Sequence, residues 1–454
     1  MKTSHYIIFT DPFSEFQNGI EYEKQIAFST RSRQSLLLSS QICRQLQVGE
    51  YDDIESDVMD ELTKHGFIVP DEANELTEII KENKATIQDD SLLYFVIQPT
   101  AYCQLGCDYC GQEHVKKNLP HKTYDSILQR LEKKFIPGKH KALRIGWFGG
   151  EPLVGMTQIR ELTALLMDFA EKHELKYSAK IVTNGLSLKE NIFEELTQKL
   201  SCREFEVTLD GIAEFHDQRR HTKSKENTFD IIFKNLKTII DREDFTKANY
   251  RLSIRCNVDK RNWEGVSPLI QLLADNGFVE KLAYFYPIGV YSWGNDAHTG
   301  SLTKEEFAEK EIDWLIEMIK VGFRPSLLPG RVKSVCLAVS QTSEMFDAFG
   351  NIFNCTEVSY VPKYVESGFV LGNLNTPTLD TNVRPLSDWN DRILNDGIPC
   401  SSCRMLPVCG GACPKSWSED MRACPSNKFN IKEKLMLSYL STKESFLETV
   451  QTID

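Results

Sequence analysis

No stretch of this chain approaches the roughly 20 consecutive apolar residues that span a bilayer, and no segment concentrates Lys and Arg. The first absence argues against a membrane span. The second argues against nucleic acid as a partner, because phosphate binding needs basic residues to displace counterions. Lys and Arg number 53 against 65 Asp and Glu, for a formal net charge of -12. The opening "MKTSHYIIFTDPFSEF" has too short an apolar run and too early an acid for a secretory signal, so the chain reads as cytoplasmic. It also lacks internal repeats and low-complexity tracts. What remains is ordinary globular composition, 41% hydrophobic and 26% charged over 454 residues, enough for two or three domains.

Cysteine, by contrast, is plentiful and unevenly placed. Of 13, three fall at 103–110 and seven between 336 and 424; Cys43, Cys202 and Cys256 are scattered. A disulfide scaffold is typically short and secreted, so two clusters in a chain of this kind point to metal or redox chemistry.

The organisation reads in three parts. Residues 1–90 begin with short alternating runs, "YIIFT" and "QIAFST". "QSLLLSSQICRQL" and "DDIESDVMDELTKHGFIVP" then show helical spacing, the latter closing at Gly66 before a short strand, and "DEANELTEIIKENKAT" reads as an acidic linking helix. This order fits a small winged-helix-like domain. Over 91–325, apolar runs recur at "LLYFVIQ", "LRIGWFGG", "AKIVTNG", "FEVTLDG", "YRLSIRCNV" and "KLAYFYPIG", with amphipathic segments between them. Strands alternating with helices predict parallel βα units, either an incomplete barrel or an open doubly wound sheet, with the site at the carboxyl ends of the strands. Over 326–454 the periodicity gives way to loops rich in Cys, Gly and Pro, a region expected to rely on metal cross-links in place of an apolar core.

The first cluster is "CQLGCDYC". Tetrahedral zinc takes four ligands, and here Cys103, Cys107 and Cys110 supply three, with His114 a conceivable fourth. Three thiolates after a first strand also suit three irons of a cubane, leaving one iron open to a non-protein ligand. Redox cysteines are a third possibility. The Cys-x3-Cys-x2-Cys spacing, with an aromatic before the last Cys, resembles the radical S-adenosylmethionine (SAM) superfamily, and the alternation matches that family's partial (β/α)6 barrel. The resemblance implies that Cys103, Cys107 and Cys110 hold a [4Fe-4S] cluster whose open iron is chelated by SAM, and that reductive cleavage yields methionine and a 5'-deoxyadenosyl radical. "GWFGGEP" resembles the family's Gly-Gly-Glu-Pro motif, which places Gly149 and Gly150 against the cofactor and Glu151 on its amino group. "TNG", "TLDG" and "HDQRR" also match recurrent family segments. They make Asn184, Thr208 and Asp210 candidate cofactor contacts, with Arg220 and Arg255 candidates to pair its carboxylate.

The carboxy-terminal cysteines read Cys336-x13-Gly350-x4-Cys355, then Cys400-x2-Cys403-x5-Cys409-x3-Cys413, then Cys424. This is similar to the SPASM motif of radical enzymes that modify peptides and proteins; a pair of zinc sites is the alternative. By resemblance, Cys400, Cys403, Cys409 and Cys424 ligate one auxiliary [4Fe-4S] cluster, and Cys336, Cys355 and Cys413 hold a second that is one ligand short, for three clusters in all. Cys256 is an outside candidate for the missing ligand, although a packing role on its strand is commoner. Sulfatase-maturing relatives carry an acidic base directly after the second of these cysteines. Here Thr356 stands there, and Glu357, read as strand, would face the other way, which disfavours oxidation to formylglycine.

The first domain resembles the leader-binding elements of ribosomal peptide maturases, which add an extended leader to a sheet edge. The combined expectation is a peptide maturase closing a thioether or carbon–carbon cross-link in a ribosomally made precursor peptide with a leader, supplied with electrons by a flavodoxin or ferredoxin. A SPASM enzyme that oxidises or epimerises a protein or small-molecule precursor, and an iron–sulfur electron-transfer protein, are the alternatives.

Overall fold

The computed structural model describes residues 1–89, 91–376 and 384–443. Residue 90, at the end of the first expected domain, and 377–383 and 444–454, within the third, lie outside the described residues.

Five strands open the chain: β1 (Lys2–Thr3), β2 (Ile7–Phe9), β3 (Phe13–Gln17), β4 (Ile20–Ser29) and β5 (Ser35–Ser39). Helices α1 (Ser40–Val48) and α2 (Ser56–Lys64), strand β6 (Ile68–Val69) and helix α3 (Glu75–Gln88) follow. The expected helix over "QSLLLSSQICRQL" is therefore half strand. Consecutive leucines cannot share one helical face, and the unpaired side of β4 takes them, Lys24 opposite Ser39 and Phe28 opposite Ser35. The helix begins only where Ser39 caps it, its hydroxyl accepting from Ile42 N–H at 3.2 Å.

The six apolar runs form β7 (Leu92–Ile97), β8 (Ala142–Trp147), β9 (Lys176–Thr183), β10 (Cys202–Thr208), β11 (Arg251–Val258) and β12 (Leu282–Gly289), each paired in parallel with the next. Their crossovers carry α4 (Tyr124–Lys134), α5 (Met156–Lys172), α6 (Glu190–Gln198), α7 (Ala213–Arg219), α8 (Phe229–Ile240), α9 (Asp244–Lys247) and α10 (Val266–Asp275), and α11 (Lys304–Lys320) follows β12. Helix α11 starts at a capping box formed by Thr303 and Glu306. Strands covered by helices bury nearly continuous apolar runs, and Phe95, Ile145, Val207 and Ile254 lie fully inside the main core.

Three short strands, β13 (Glu344–Phe346), β14 (Asn351–Phe353) and β15 (Gly372–Asn373), extend this sheet beyond β7 to nine strands among the described residues. Helices α12 (Trp389–Leu394), α13 (Leu406–Cys409), α14 (Pro414–Ser418) and α15 (Asn427–Leu440) complete the chain. The region after 325 is not coreless, contrary to expectation. Met345, Phe353, Val358, Val361 and Leu386 pack with Val96 of β7, because its few apolar residues are pooled against the barrel. The turn between β13 and β14 is held by Asp347, which accepts from the N–H groups of Phe349 and Asn351. Burial raises the Asp347 carboxyl to about 6. Its contribution to stability is therefore fully present below the unfolded value of roughly 4 and lost as pH rises through about 6. In thermal melts, wild type should keep more of its advantage over Asp347→Asn at pH 5 than at pH 8.

The amino-terminal sheet docks on this same region. Ile8, Ile26 and Phe28 share a buried cluster with Met405, Val408, Ile431 and Leu435, and Thr30 donates to the Arg404 carbonyl at 2.6 Å. Phe28→Ala should cost roughly 3–5 kcal/mol and expose residues 1–89 to protease before the barrel yields, measured by limited proteolysis. Among the described residues, no helix is long and apolar enough to cross a membrane.

Candidate active site

The loop between β7 and α4 carries Cys103, Cys107 and Cys110, and three other segments clamp it. Gly106 N–H donates to the His221 carbonyl and Asp108 N–H to the Arg219 carbonyl, Asn295 donates its side-chain amide to the Tyr109 carbonyl, and Glu113 N–H reaches the Tyr360 carbonyl. Cys110 N–H closes a turn on the Cys107 carbonyl at 3.2 Å. All three thiols line one cavity of about 150 Å³ at the carboxyl ends of the parallel strands. Burial pushes Cys103 and Cys110 up to about 12 and raises Cys107 as well, so only a bound positive centre would hold them as thiolates. His114 Nε2 lies 3.9 Å from Cys110 Sγ, and burial lowers its imidazole to about 4.

The turn after β8 passes directly over the thiol loop. Gly149 has φ +124°, and a Cβ on Gly150 would stand 2.6 Å from the Tyr102 carbonyl oxygen, so side chains are excluded where the two loops cross. Glu151 lines the cavity but is fully buried and already engaged. Its carboxylate accepts from Leu153 N–H at 2.9 Å, Thr183 hydroxyl at 2.6 Å and Asn184 N–H at 2.7 Å. Burial still raises its carboxyl above the usual range. The three donors leave it about one free acceptor position of four. Asn184 in turn donates to Cys103 Sγ at 3.7 Å.

Thr208, Arg220 and Arg255 line the cavity. Asp210 does not: it lies behind the wall, accepting from Tyr109 hydroxyl at 2.6 Å and Asn257 N–H at 2.8 Å. Its short side chain is consumed in orienting Tyr109, which corrects its reading as a direct cofactor contact. Arg220 donates to the Tyr109 hydroxyl at 2.5 Å, and its Nε is buried without a partner. Arg255 donates from Nε to Asn257 Oδ1 at 2.8 Å. The sequence marks Tyr109 only as the aromatic before Cys110 and does not single out Asn257 or Tyr291. Of these two, Asn257 carries a local signal, two residues beyond Arg255 and so on the same strand face.

Glu357 overturns another expectation. Residues 355–357 form no strand but enter a turn, so alternation does not apply, and Glu357 lines the cavity together with Cys110. Tyr291 hydroxyl donates to its carboxylate at 2.9 Å, and its backbone carbonyl accepts from Trp293 Nε1 at 2.8 Å.

The remaining cysteines fall into two groups. Cys400, Cys403, Cys409 and Cys424 line one small cavity. Cys336, Cys355 and Cys413 lie within electrostatic reach of one another. Cys256 is fully buried in the main core, as a packing residue. Among the described residues, no three His, Cys, Asp or Glu side chains converge closely enough to hold a single metal ion.

Residues 97–250 match the family model for the Radical SAM superfamily, so the chain carries a radical SAM domain and is an enzyme. Among proteins it resembles, the cysteine-type anaerobic sulfatase-maturating enzyme of Clostridium novyi is 24% identical over 353 residues, covering 71% of this chain and 88% of the relative. The serine-type anaerobic sulfatase-maturating enzyme of Bacteroides thetaiotaomicron is 20% identical over 71% of this chain and 83% of its own length. The solved structure of anSMEcpe with bound AdoMet and Cp18Cys peptide superposes with a TM-score of 0.54 at 18% identity, over 80% of this chain and all of that one, and shares its fold.

Proposed function

We propose that this enzyme is a SPASM-type peptide maturase that cross-links a ribosomally made precursor peptide. One observation carries the reading: three thiols, an acidic turn and an arginine with an unpartnered Nε face a single cavity at the carboxyl ends of β7 to β11. Those residues fit a [4Fe-4S] cluster with SAM on it. Cys103, Cys107 and Cys110 supply three thiolate ligands, and a cubane spreads its ligands over several irons, whereas zinc needs them gathered around one point, which no three His, Cys, Asp or Glu side chains among the described residues do, His114 included. The free Nε of Arg220 suits a carboxylate, and the remaining acceptor position of Glu151 suits an ammonium group. When bound, the cluster and SAM supply a 5'-deoxyadenosyl radical that removes a hydrogen atom from the substrate.

The chain's own residues do the rest. Tyr109, fixed by Asp210 and Asn257, holds Arg220 against the cavity wall. Gly149 and Gly150 keep the floor open. Thr208 and Arg255 line the same cavity, where they would contact the bound cofactor. The two carboxy-terminal thiol groups would hold auxiliary clusters that accept the electron left over when a thioether or carbon–carbon bond closes, and a flavodoxin or ferredoxin would supply and remove electrons. The amino-terminal sheet would bind the leader by strand addition, raising the local concentration of the core peptide.

Glu357 favours a second reading. The sulfatase-maturating relatives act on a seryl or cysteinyl side chain, as their names state, and an acidic group in this cavity removes the objection to such oxidation here. Mass spectrometry of peptide substrates incubated with the anaerobically reconstituted enzyme separates the two. A cross-link lowers the mass by two hydrogens, blocks fragmentation between the joined residues and ignores hydrazine, whereas formylglycine reacts as an aldehyde. Vigorous cofactor cleavage with no change in any peptide would count against both.

A further inference from the structure

The sequence holds no basic tract, yet the fold gathers lysines around the thiol loop. Two short segments strap that loop. Ala101 N–H donates to the Lys117 carbonyl at 2.8 Å, and Thr100 bridges to Asn118. Lys223 N–H donates to the Gln104 carbonyl and Gly106 N–H to the His221 carbonyl, both at 3.0 Å. The straps bring Lys116 and Lys223 to the ring of Tyr102, the residue before Cys103, with Nζ 5.9 and 4.7 Å from its centroid. Lys117 and Lys225 lie on the same segments, Lys225 Nζ standing 2.8 Å from His221 Nε2. All four lysines are exposed, and among the described residues none is in an ion pair.

The nearby acids do not cancel this charge. Asp108, on the loop itself, is paired with Arg261. Glu226 accepts from the Thr222 and Ser224 hydroxyls of its own segment. Over 113–118 and 222–226, four lysines stand against two glutamates. Two ammonium groups at one ring repel each other, and an exposed cation–π contact is weak, so packing alone does not account for the cluster. An anionic partner does. The chain as a whole carries a formal net charge of -12, which repels an acidic protein from the average surface and steers it to a basic patch. We propose that Lys116, Lys117, Lys223 and Lys225 form the docking surface for an acidic protein that carries one electron on a flavin or an iron–sulfur centre. This rests on the assignment of a cluster to Cys103, Cys107 and Cys110 made above. A carrier seated over Tyr102 is held against the loop of the group it reduces. One electron leaves the carrier and enters the cluster; no proton or leaving group moves.

The test measures binding directly and then compares electron donors. Surface plasmon resonance of an acidic flavodoxin, and separately of an acidic ferredoxin, on the full-length chain should show affinity that falls with salt. Lys116→Glu/Lys223→Glu should weaken it about tenfold or more at low salt. Lys116→Arg/Lys223→Arg should preserve it, and Lys199→Glu, at the exposed end of α6, should change it little. Carbodiimide coupling should join carrier carboxylates to the four lysines, read by peptide mapping. In the reconstituted enzyme, Lys117→Glu/Lys225→Glu should slow 5'-deoxyadenosine formation driven by the reduced carrier, while formation driven by dithionite stays near wild type. An equal loss with both donors would assign the lysines to the loop itself, and binding indifferent to all four would place the carrier elsewhere. Either result overturns the docking surface and leaves the cluster assignment intact. Wild-type chain that forms no product with dithionite would instead remove that assignment.

Discussion

Cys103→Ala should abolish 5'-deoxyadenosine formation from SAM under strong reductant, with a loss greater than the 10–100-fold that follows removal of a group merely hydrogen-bonded to a metal ligand. The size of the effect follows from the ligand count. The loop offers three thiols to the cavity, and with one gone the cluster loses a third of its protein anchorage at its most buried corner, beside Asn184 and Glu151. Cys103→Ser should fare little better, since a hydroxyl is a poor ligand for iron at neutral pH. The comparison that gives the result meaning is Cys256→Ala. That thiol is equally buried but lies in the main core, so its loss should cost packing and leave the turnover of the surviving folded enzyme near wild type. Iron content, measured alongside product, separates loss of the cluster from loss of fold.

The second large effect is expected at Glu151. This carboxylate joins the ends of β8 and β9 beneath the cavity, taking hydrogen bonds from Leu153, Thr183 and Asn184. Glu151→Ala strands three buried donors. At 1–3 kcal/mol for each unsatisfied group, the expected destabilisation is roughly 3–9 kcal/mol, readable in a denaturant melt. Glu151→Gln keeps one carbonyl oxygen for two of the donors but turns an amide toward the third, so an intermediate loss is expected. In both variants SAM affinity should fall further than stability alone explains, because Asn184, displaced with its N–H partner, also contacts Cys103. Calorimetric titration of SAM into the reconstituted variants, at a temperature where each is folded, isolates that excess.

Much of this site was legible in the sequence because its chemistry is local. The thiols sit within eight residues on one loop, and the Gly-Gly-Glu turn ends a strand whose continuous apolar run marks it as buried on both faces. What escaped was non-local or depended on a turn. The Tyr109 hydroxyl is fixed by Asp210 and Asn257, each more than a hundred positions away, and no periodicity connects them. Strand alternation points Glu357 away from the cavity, but β14 ends at Phe353 and the chain bends there. Strand β5 escapes a helical reading because leucine favours helix only until a neighbouring strand with an open edge is available. The docking of the amino-terminal sheet on Met405, Val408, Ile431 and Leu435 joins segments nearly four hundred residues apart, and each face alone is an unremarkable apolar stripe.

The central claim is that three protein thiols leave one coordination place to a sulfonium cofactor in the cavity between Glu151 and Arg220. Its most direct measurement is chromatographic detection of 5'-deoxyadenosine after the purified, anaerobically reconstituted chain is given SAM and dithionite. The account predicts product that requires the reductant and disappears with any one of Cys103, Cys107 or Cys110. A chain loaded with iron and sulfide that leaves SAM intact, or one that takes up zinc in their place, would contradict it.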